Sequence, residues 1–556
     1  MTQPLLIRAD AGPANGAGHM MRCLALARHW LQAGERVVFA QTEIDAPLAE
    51  RLRQEGAELI PISAAAGSDE DALETLAHAK TMGCSWIVAD GYAFDADWQQ
   101  HIKVAGFCLL LLDDYGHARH YHADVILNQN AGASSELYAN RDTHTRLLLG
   151  SKYALLRREF TEGRDTPREI AVNATKILVT LGGSDPANIT GTVVAALAQL
   201  QGIESVIVVG SGNPRLESIR SAVGAHGEAM RIVVNAQNMA ELLTWADVAV
   251  SAAGSTAWEL ACMGLPAALI VVAENQAGIA AALAREGVSL NLGPHAALDA
   301  ERIASTLRDW LPDRARRKAM SVGGRRLVDG QGAKRVRAVL NPKLKITIVS
   351  DAGSWSGGFI GELKTDLENS GHAVRWLHDP KEIEDGDVAL FLSLGRIVSP
   401  ALLKRHAHNL VVHASALPHG RGWSPLTWQI LEGRNEIPVS LLEAADGVDS
   451  GDVYAQQMLR FQGCELLPEM HRAVAAATLE LCGDFIARYP FVVGEARTQA
   501  GEATYYPRRR PGDSRLDPDK TLREQFNLLR VCDQECYPAF IEIAGRSYEV
   551  RITPAA

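Results

Sequence analysis

Short apolar runs alternate with amphipathic segments from Pro4 to about Phe160, and this rhythm constrains the fold more than any other feature of the chain. The runs are LLI (Leu5 to Ile7), VVFA (Val37 to Ala40), LIPI (Leu59 to Ile62), WIVAD (Trp86 to Asp90), CLLLLDD (Cys108 to Asp114) and VILNQN (Val125 to Asn130). Between them lie helical patterns such as APLAERLRQEG (Ala46 to Gly56). Strand–helix alternation of this kind specifies a parallel, doubly wound sheet, and ligands of such sheets sit at the carboxyl ends of the strands. The informative polar residues fall at those ends: Asp10 with His19, Asp90 with Tyr92, Asp113 with Asp114, and Asn128 with Asn130.

The rhythm restarts twice. KILVTLGGSDPANIT (Lys176 to Thr190) opens a second α/β unit, which continues through VIVVGSG (Val206 to Gly212) and SAAGSTAWELACMGLPAALIVVAENQ, ending at Gln276. Two successive α/β domains suggest an enzyme with a cleft between them. A polar, basic helix (Asp313 to Leu340) then leads to KITIVSD (Lys345 to Asp351), VALFLSLG (Val388 to Gly395) and LVVHASALP (Leu410 to Pro418). The major boundary falls near 341–345. Polar residues replace the rhythm again between Gly494 and Tyr505, before YYPRRRPGDSRLD and the strand-like IEIAG and YEVRI. The expected domains are 1–165, 166–341, 345–495 and 496–556.

Composition excludes several classes. The 556 residues carry a net charge of −11, which argues against bulk nucleic-acid binding. No apolar run approaches a membrane span, so no membrane insertion is expected. The eight cysteines form no CxxC pair, and thin cysteine usage fits a reducing cytoplasm. His117, His120 and His122 sit in a polar loop without matching acidic spacing and read as solvated loop histidines; no metal is expected. Asp113-Asp114 reads as a cap before it reads as a metal site.

Two constellations carry chemistry. In RADAGPANGAGHMMRCLALARHW (Arg8 to Trp30) a glycine-rich loop joins the first strand to a helix. Such a loop lets backbone approach a ligand and aims helix N–H groups at an anion. His19 stands within it as a base for neutral pH, with Asp10, Gly18 and Arg22 around it on the substrate side. Gly183-Ser184 and Gly254-Ser255-Thr256 place glycine, then hydroxyl, at helix starts, an arrangement that suits a diphosphate. Glu259 lies one turn along the second helix, where ribose hydroxyls are its natural partners. Asn275 and Gln276 end the next apolar strand.

These motifs, with VADGY, LLDD and ILNQN in the same order, resemble the UDP-sugar hydrolases of pseudaminic acid biosynthesis, the UDP-2,4-diacetamido-2,4,6-trideoxy-β-L-altropyranose hydrolases. The resemblance spans residues 4 to 340. That family is similar to the lipid II-forming glycosyltransferase and shares its two-domain GT-B fold. The resemblance implies that His19 activates water for attack at the anomeric carbon while UDP departs. It also implies that Tyr92 and Asn275 line the catalytic site, and that Ser255, Thr256 and Glu259 hold the nucleotide. Transfer to an acceptor instead of water is the alternative.

The second constellation is HASALPHGRGWSPLTWQILEG (His413 to Gly433) with EAADGVDSGDVY (Glu443 to Tyr454). A His and an Asp held together can shuttle the proton released when an amine attacks a formyl carbon. His413, Ser415, Leu417-Pro418, Arg421-Gly422 and Asp449 resemble the signature of the folate-dependent formyltransferases, including methionyl-tRNA formyltransferase and the sugar N-formyltransferases. The resemblance covers about 345 to 550. It implies N10-formyltetrahydrofolate as co-substrate. The basic run Arg508 to Arg510 is short and the chain is acidic overall, so a UDP-linked amino sugar and no nucleic acid is the expected acceptor. Val411 occupies the place where that family carries an asparagine. The nearest asparagine, Asn409, is out of register by two; either a backbone N–H or His408 replaces the donor, or catalysis is weakened. A retained fold that only binds is the alternative. The expected architecture is α/β: a GT-B-like pair of doubly wound Rossmann-like domains, a Rossmann-like formyltransferase domain and a small mostly-β subdomain.

Overall fold

The computed structural model describes residues 4–12, 18–182, 185, 187–210 and 213–554. They form two compact units that divide in sequence between Leu340 and Asn341. No helix among the described residues is long and apolar enough to cross a membrane.

The first unit holds two parallel sheets. In one, β1 (Leu5–Ala9), β2 (Val37–Gln41), β3 (Glu58–Pro61), β4 (Trp86–Asp90), β5 (Cys108–Leu112), β6 (Val125–Asn128) and β7 (Arg146–Leu149) lie in the order 3-2-1-4-5-6-7. Every residue of β1, β4 and β5 is buried, as expected of unbroken apolar strands covered by helices on both faces. In the other, β8 (Lys176–Thr180), β9 (Glu204–Val209), β10 (Met230–Val234), β11 (Val248–Ala252), β12 (Ala267–Val271) and β13 (Ser289–Pro294) run in the order 10-9-8-11-12-13. The chain winds outward in opposite directions from β1/β4 and from β8/β11, so each sheet has a switch point where its loops part to leave a crevice.

The polar segment after β13 differs from the single helix expected. It forms two helices, Arg314–Leu327 and Gly332–Leu340, parted at Asp329-Gly330. Gly330 has φ +76°, which ends helical geometry, and Asp329 accepts from Arg335 of the second helix at 2.8 Å. That second helix returns to the first lobe, where Arg337 pairs with Glu35 at 3.0 Å and lies over Trp30.

The second unit is built on β14 (Lys345–Val349), β15 (Ala373–Leu377), β16 (Gly386–Phe391), β17 (His406–His413), β19 (Glu436–Glu443) and β20 (Val453–Arg460), in the order 15-14-16-17-19-20. Strands 15, 14, 16 and 17 are parallel; β19 and β20 add an antiparallel hairpin. The helix Leu467–Arg488 buries Met470, Ala477, Leu481 and Phe485 in the core of this unit. A two-stranded pair joins β18 (Arg421–Gly422) to β21 (Tyr505–Tyr506), and β22 (Arg515–Leu516), β23 (Ala539–Ile543) and β24 (Arg546–Val550) form a small terminal sheet.

Arg8 is the one charged residue of β1. Its Nε and Nη2 each donate to Asp71 at 2.9 Å, its Nη1 lies 2.8 Å from Asp10, and it packs over Phe94. Both Arg8 and Asp71 are wholly buried. Arg8→Met should cost about 3–5 kcal/mol of stability by leaving a carboxylate buried without its partner. Denaturant unfolding followed by a probe in the first unit measures this, and an unchanged midpoint would count against the ion pair as a structural anchor.

Candidate active sites

His19 lies in the first turn of the helix Gly18–Leu31, which follows β1. Its Nδ1 stands 2.5 Å from Oδ1 of Asp90, the last residue of β4. Helical spacing brings Arg22 to the same carboxylate, with Nε 2.6 Å from Oδ2 and Nη2 2.7 Å from Oδ1. Arg22 also donates through Nη1 to Asp114 at 2.9 Å. Asp114 in turn accepts from the Tyr92 hydroxyl at 2.8 Å and from Asn130 Nδ2 at 3.2 Å. The Tyr92 ring meets the His19 ring edge-on at 5.2 Å between centroids.

These contacts fix charge states. Burial opposes ionisation of Asp90, but the charge of Arg22 and the hydrogen bonds from Arg22 and His19 outweigh it and hold the carboxyl well below the usual range. Asp114 is lowered for the same reason, with Arg22 as the counter-charge. The Tyr92 hydroxyl is pushed up by burial and by Asp114, offset in part by the charge of Arg22 and by the nearby Asn275 side chain. Tyr92 is therefore a neutral donor. An ionised Asp90 at Nδ1 requires the proton on that nitrogen, which leaves the His19 lone pair on Nε2, the nitrogen a base needs.

The structure thus brings together His19 and Tyr92 from the first lobe and Asn275, in the turn Glu274–Gln276 after β12, from the second. Around β11 it places Gly254 and Ser255 just before the helix Thr256–Met263, and Ser255 makes no side-chain cap bond. A methyl group added at Gly254 would stand 3.6 Å from Gln276 Nε2, and Gln276 itself accepts from the Val272 N–H at 3.1 Å. Glu259 points to Arg157 Nη2 at 3.3 Å, and burial raises its pKa. Gly183 and Ser184 lie outside the described residues.

Two of the residues grouped with His19 are committed elsewhere. Asp10 spends Oδ1 on Arg8 and on the N–H and hydroxyl of Thr42, at 2.6 and 2.9 Å. Arg22 spends its guanidinium on Asp90 and Asp114. Both build the floor of the crevice. Gly18 begins the helix, with open space where a Cβ would stand. Asp113 is a cap: its Oδ1 accepts from the N–H groups of Tyr115 and Gly116 at 2.7 Å each. Asp90 is the partner that residue spacing did not single out, although WIVAD had placed a carboxylate at this strand end.

In the second unit a cleft of about 660 Å³ opens at the carboxyl ends of β14, β16 and β17. His413 ends β17, and its Nε2 donates to the Gly420 carbonyl at 2.8 Å. The proton held there leaves Nδ1 as the basic nitrogen, 3.5 Å from Asp449 Oδ2. Asp449, in the left-handed region at φ +48°, is held by the Gly422 N–H at 2.9 Å. Gln499 clamps the same turn: its Nε2 donates to the Asp449 and Gly451 carbonyls at 2.8 and 2.7 Å, and its Oε1 accepts from Arg421 Nη2 at 2.6 Å. Arg421 therefore faces the tail and not the cleft.

Pro418 follows a cis peptide bond, and its carbonyl accepts from Thr504 at 3.3 Å. Ser415 is buried, with its carbonyl accepting from Ser440 Oγ at 2.7 Å. Of the four loop residues assigned to folate or sugar, Gly422 alone lines the cleft. Val411 lines it as well. The side-chain substitute for the missing asparagine does not reach it: His408 pairs with Glu443 at 3.2 Å, and the out-of-register Asn409 donates through Nδ2 to Leu403 O at 2.9 Å. Sequence reasoning also missed Trp355, which stacks on His471 with centroids 4.0 Å apart and planes 15° apart on the cleft wall. Trp355 stands in a Gly/Ser loop after β14, a signal open to reading; nothing in the sequence pointed to His471.

Two family models match the chain: the glycosyltransferase family 28 C-terminal domain over residues 177–330, and the formyl transferase domain over residues 363–479. The spore coat polysaccharide biosynthesis protein SpsG of Bacillus subtilis is 26% identical over 339 residues, covering 60% of this chain and 96% of that protein. A methionyl-tRNA formyltransferase of Pelotomaculum thermopropionicum is 27% identical over 190 residues, covering 30% of this chain and 58% of its own length. The chain thus spans about three-fifths of that relative. The solved structure of Acinetobacter baumannii MurG aligns with 61% of this chain and 99% of that one, at 14% identity and a TM-score of 0.45. The protein is therefore a fusion, within one α/β chain, of a glycosyltransferase-28-like, SpsG-like part and a formyltransferase-like part.

Burial lowers His471 to about 4, and burial with the nearby Lys343 charge lowers His372 to about 4, from 6.5. Both would gain protons on unfolding, so the stability of the second unit should fall as pH drops from about 6.5 towards about 4. Denaturant unfolding at pH 7 and pH 4.5 should give a smaller loss for the H372Q/H471Q variant than for the parent; equal losses would exclude these histidines as the cause.

Proposed function

We propose that the protein is a bifunctional nucleotide-sugar enzyme. The first unit, with domains 1–165 and 166–341, hydrolyses a UDP-2,4-diamino-2,4,6-trideoxy-L-altrose derivative. The second, with domain 345–495 and subdomain 496–556, formylates the sugar 4-amine. The released sugar feeds synthesis of a pseudaminic acid-type nonulosonate. The observation that supports this reading is the His19–Asp90 pair, with the His19 ring packed edge-on against Tyr92.

In hydrolysis, water attacks the anomeric carbon as the bond to the UDP oxygen breaks. The water proton passes to His19 Nε2, and UDP leaves with the bonding electrons. A diphosphate is a good leaving group, so the base counts for more than an acid. The helix start at Ser255 and Thr256 supplies N–H groups for phosphate, and Glu259 supplies a carboxylate for ribose hydroxyls. In formyl transfer, N10-formyltetrahydrofolate supplies the formyl carbon. The sugar amine attacks the formyl carbon, and His413 takes the amine proton at Nδ1 while Asp449 stabilises the imidazolium. The tetrahedral intermediate collapses as the C–N10 bond breaks, the proton passing from His413 to N10 so that tetrahydrofolate leaves neutral.

His19→Ala should lower UDP release by about a hundred- to ten-thousand-fold and leave formylation intact. The assay supplies the 4-amino UDP-sugar with and without formyl-folate and follows UDP by chromatography and formyl sugar by mass spectrometry. A folded variant that loses both activities together overturns the division of labour.

The match to a glycosyltransferase model favours one second reading for the first unit, transfer to an acceptor. UDP-sugar incubated without acceptor would then yield no free sugar. Val411 favours a second reading for the other unit, a module that binds without catalysing. If the site is catalytic but short of an oxyanion donor, Val411→Asn should raise formyl transfer, by up to about a hundredfold. No product from parent or variant would leave the binding reading standing.

A further inference from the structure

The loop histidines that the sequence left as solvated have a carboxylate beside them in the fold. His120 Nε2 lies 2.8 Å from Asp142 Oδ1, and His122 Nδ1 lies 3.2 Å from Asp142 Oδ2. The two imidazoles are 4.5 Å apart between centroids. Among the described residues this is the one group of three such side chains whose ligand atoms all lie within 4.8 Å of one another.

Backbone pairing builds the arrangement. Tyr121 bridges Arg141 in parallel, with Tyr121 N–H on Asn140 O at 2.9 Å and Asp142 N–H on Tyr121 O at 3.0 Å. Residues two apart on an extended segment share a face, so His120 and His122 project together towards Asp142. Tyr121 between them is buried and anchored through its hydroxyl to Asp113 at 2.6 Å. The neighbouring histidines are engaged elsewhere: His117 with Asp113 at 2.7 Å, and His144 with Asp124 at 3.6 Å. The three side chains are partly exposed, at 37%, 25% and 31%, so an ion can enter and keep water on its open side.

We propose that His120, His122 and Asp142 bind a divalent transition-metal ion of the zinc class. Two imidazole nitrogens and one carboxylate oxygen match the ligand types of that class, with contacts of about 2.0–2.2 Å. The ion replaces the two hydrogen bonds now made to Asp142, and small side-chain rotations close the remaining distance. It ties the crossover entering β6 to the crossover entering β7, clamping the edge of the first sheet.

The test uses the full chain, stripped by a chelator and titrated with Zn²⁺ by calorimetry and with Co²⁺ by visible absorption. One ion per chain should bind, with a rise in the melting temperature of the first unit. The H120A/H122A and D142N variants should bind it at least about tenfold more weakly and lose that rise. H117A should bind as the parent does. Because a substitution can disturb the loop, circular dichroism of each variant and the parent's own metal-dependent melting are read together. The proposal is overturned if the parent binds no ion below about 100 μM, a weak affinity for such a ligand set. It is equally overturned if folded H120A/H122A keeps the parent's stoichiometry and affinity.

Discussion

The first unit depends on one buried carboxylate. Asp90 ends β4 and receives His19, the Nε and Nη2 of Arg22, and the Cys23 thiol at 3.4 Å. Removed from water, such a charge is tolerable only with its lone pairs filled, and here each donor comes from the helix that follows β1. The contact therefore does two things at once. It locks that helix onto the neighbouring strand at the switch point of the sheet, and it sets the tautomer of His19. Asp114 repeats the pattern one strand further out, so that Arg22 is a brace between two carboxylates and Tyr92 is held as a donor.

The His413–Asp449 pair of the second unit has fewer restraints. His413 is oriented by one carbonyl and faces Asp449 at 3.5 Å, and Asp449 is held by one N–H. Much of its positioning comes from backbone conformation: the left-handed turn at Asp449 and the loop from Ser415 to Gly422. Such a site tolerates change in any one side chain less through charge than through loop geometry. Val411 on the cleft wall is the clearest departure from a fully equipped formyl-transfer site.

The strands were legible because parallel strands buried on both faces must be apolar throughout, so WIVAD and CLLLLDD could hardly be anything else. The carboxyl-end residues were legible because that is where such sheets present side chains. Partners were harder. Arg22 and Asp90 are 68 residues apart, and Asp10 meets Thr42 across 32, so nothing in local spacing says that Asp10 and Arg22 are spoken for. His120 and His122 meet Asp142 only through a backbone bridge between two loops. His408 was a reasonable substitute for a missing donor in sequence, but the pleat of β17 sets it on the face opposite Val411, where it meets Glu443 of β19; Asn409 shares the face of Val411 but is spent on the Leu403 carbonyl. The break at Asp329-Gly330 was visible in composition and was overridden by the basic helical pattern around it.

Gln499 lies in the polar stretch where the apolar rhythm stops, yet it holds the turn of Asp449 and the guanidinium of Arg421 together, while β21 pairs with β18 a few residues on. The tail is thus not an appendage to a finished domain. It is the last strut of the loop that carries Asp449, added after the sheet that presents His413. A nascent chain that has emerged only as far as β20 would hold Asp449 by the Gly422 N–H alone, so the full set of contacts that positions it opposite His413 is completed only when the tail is in place.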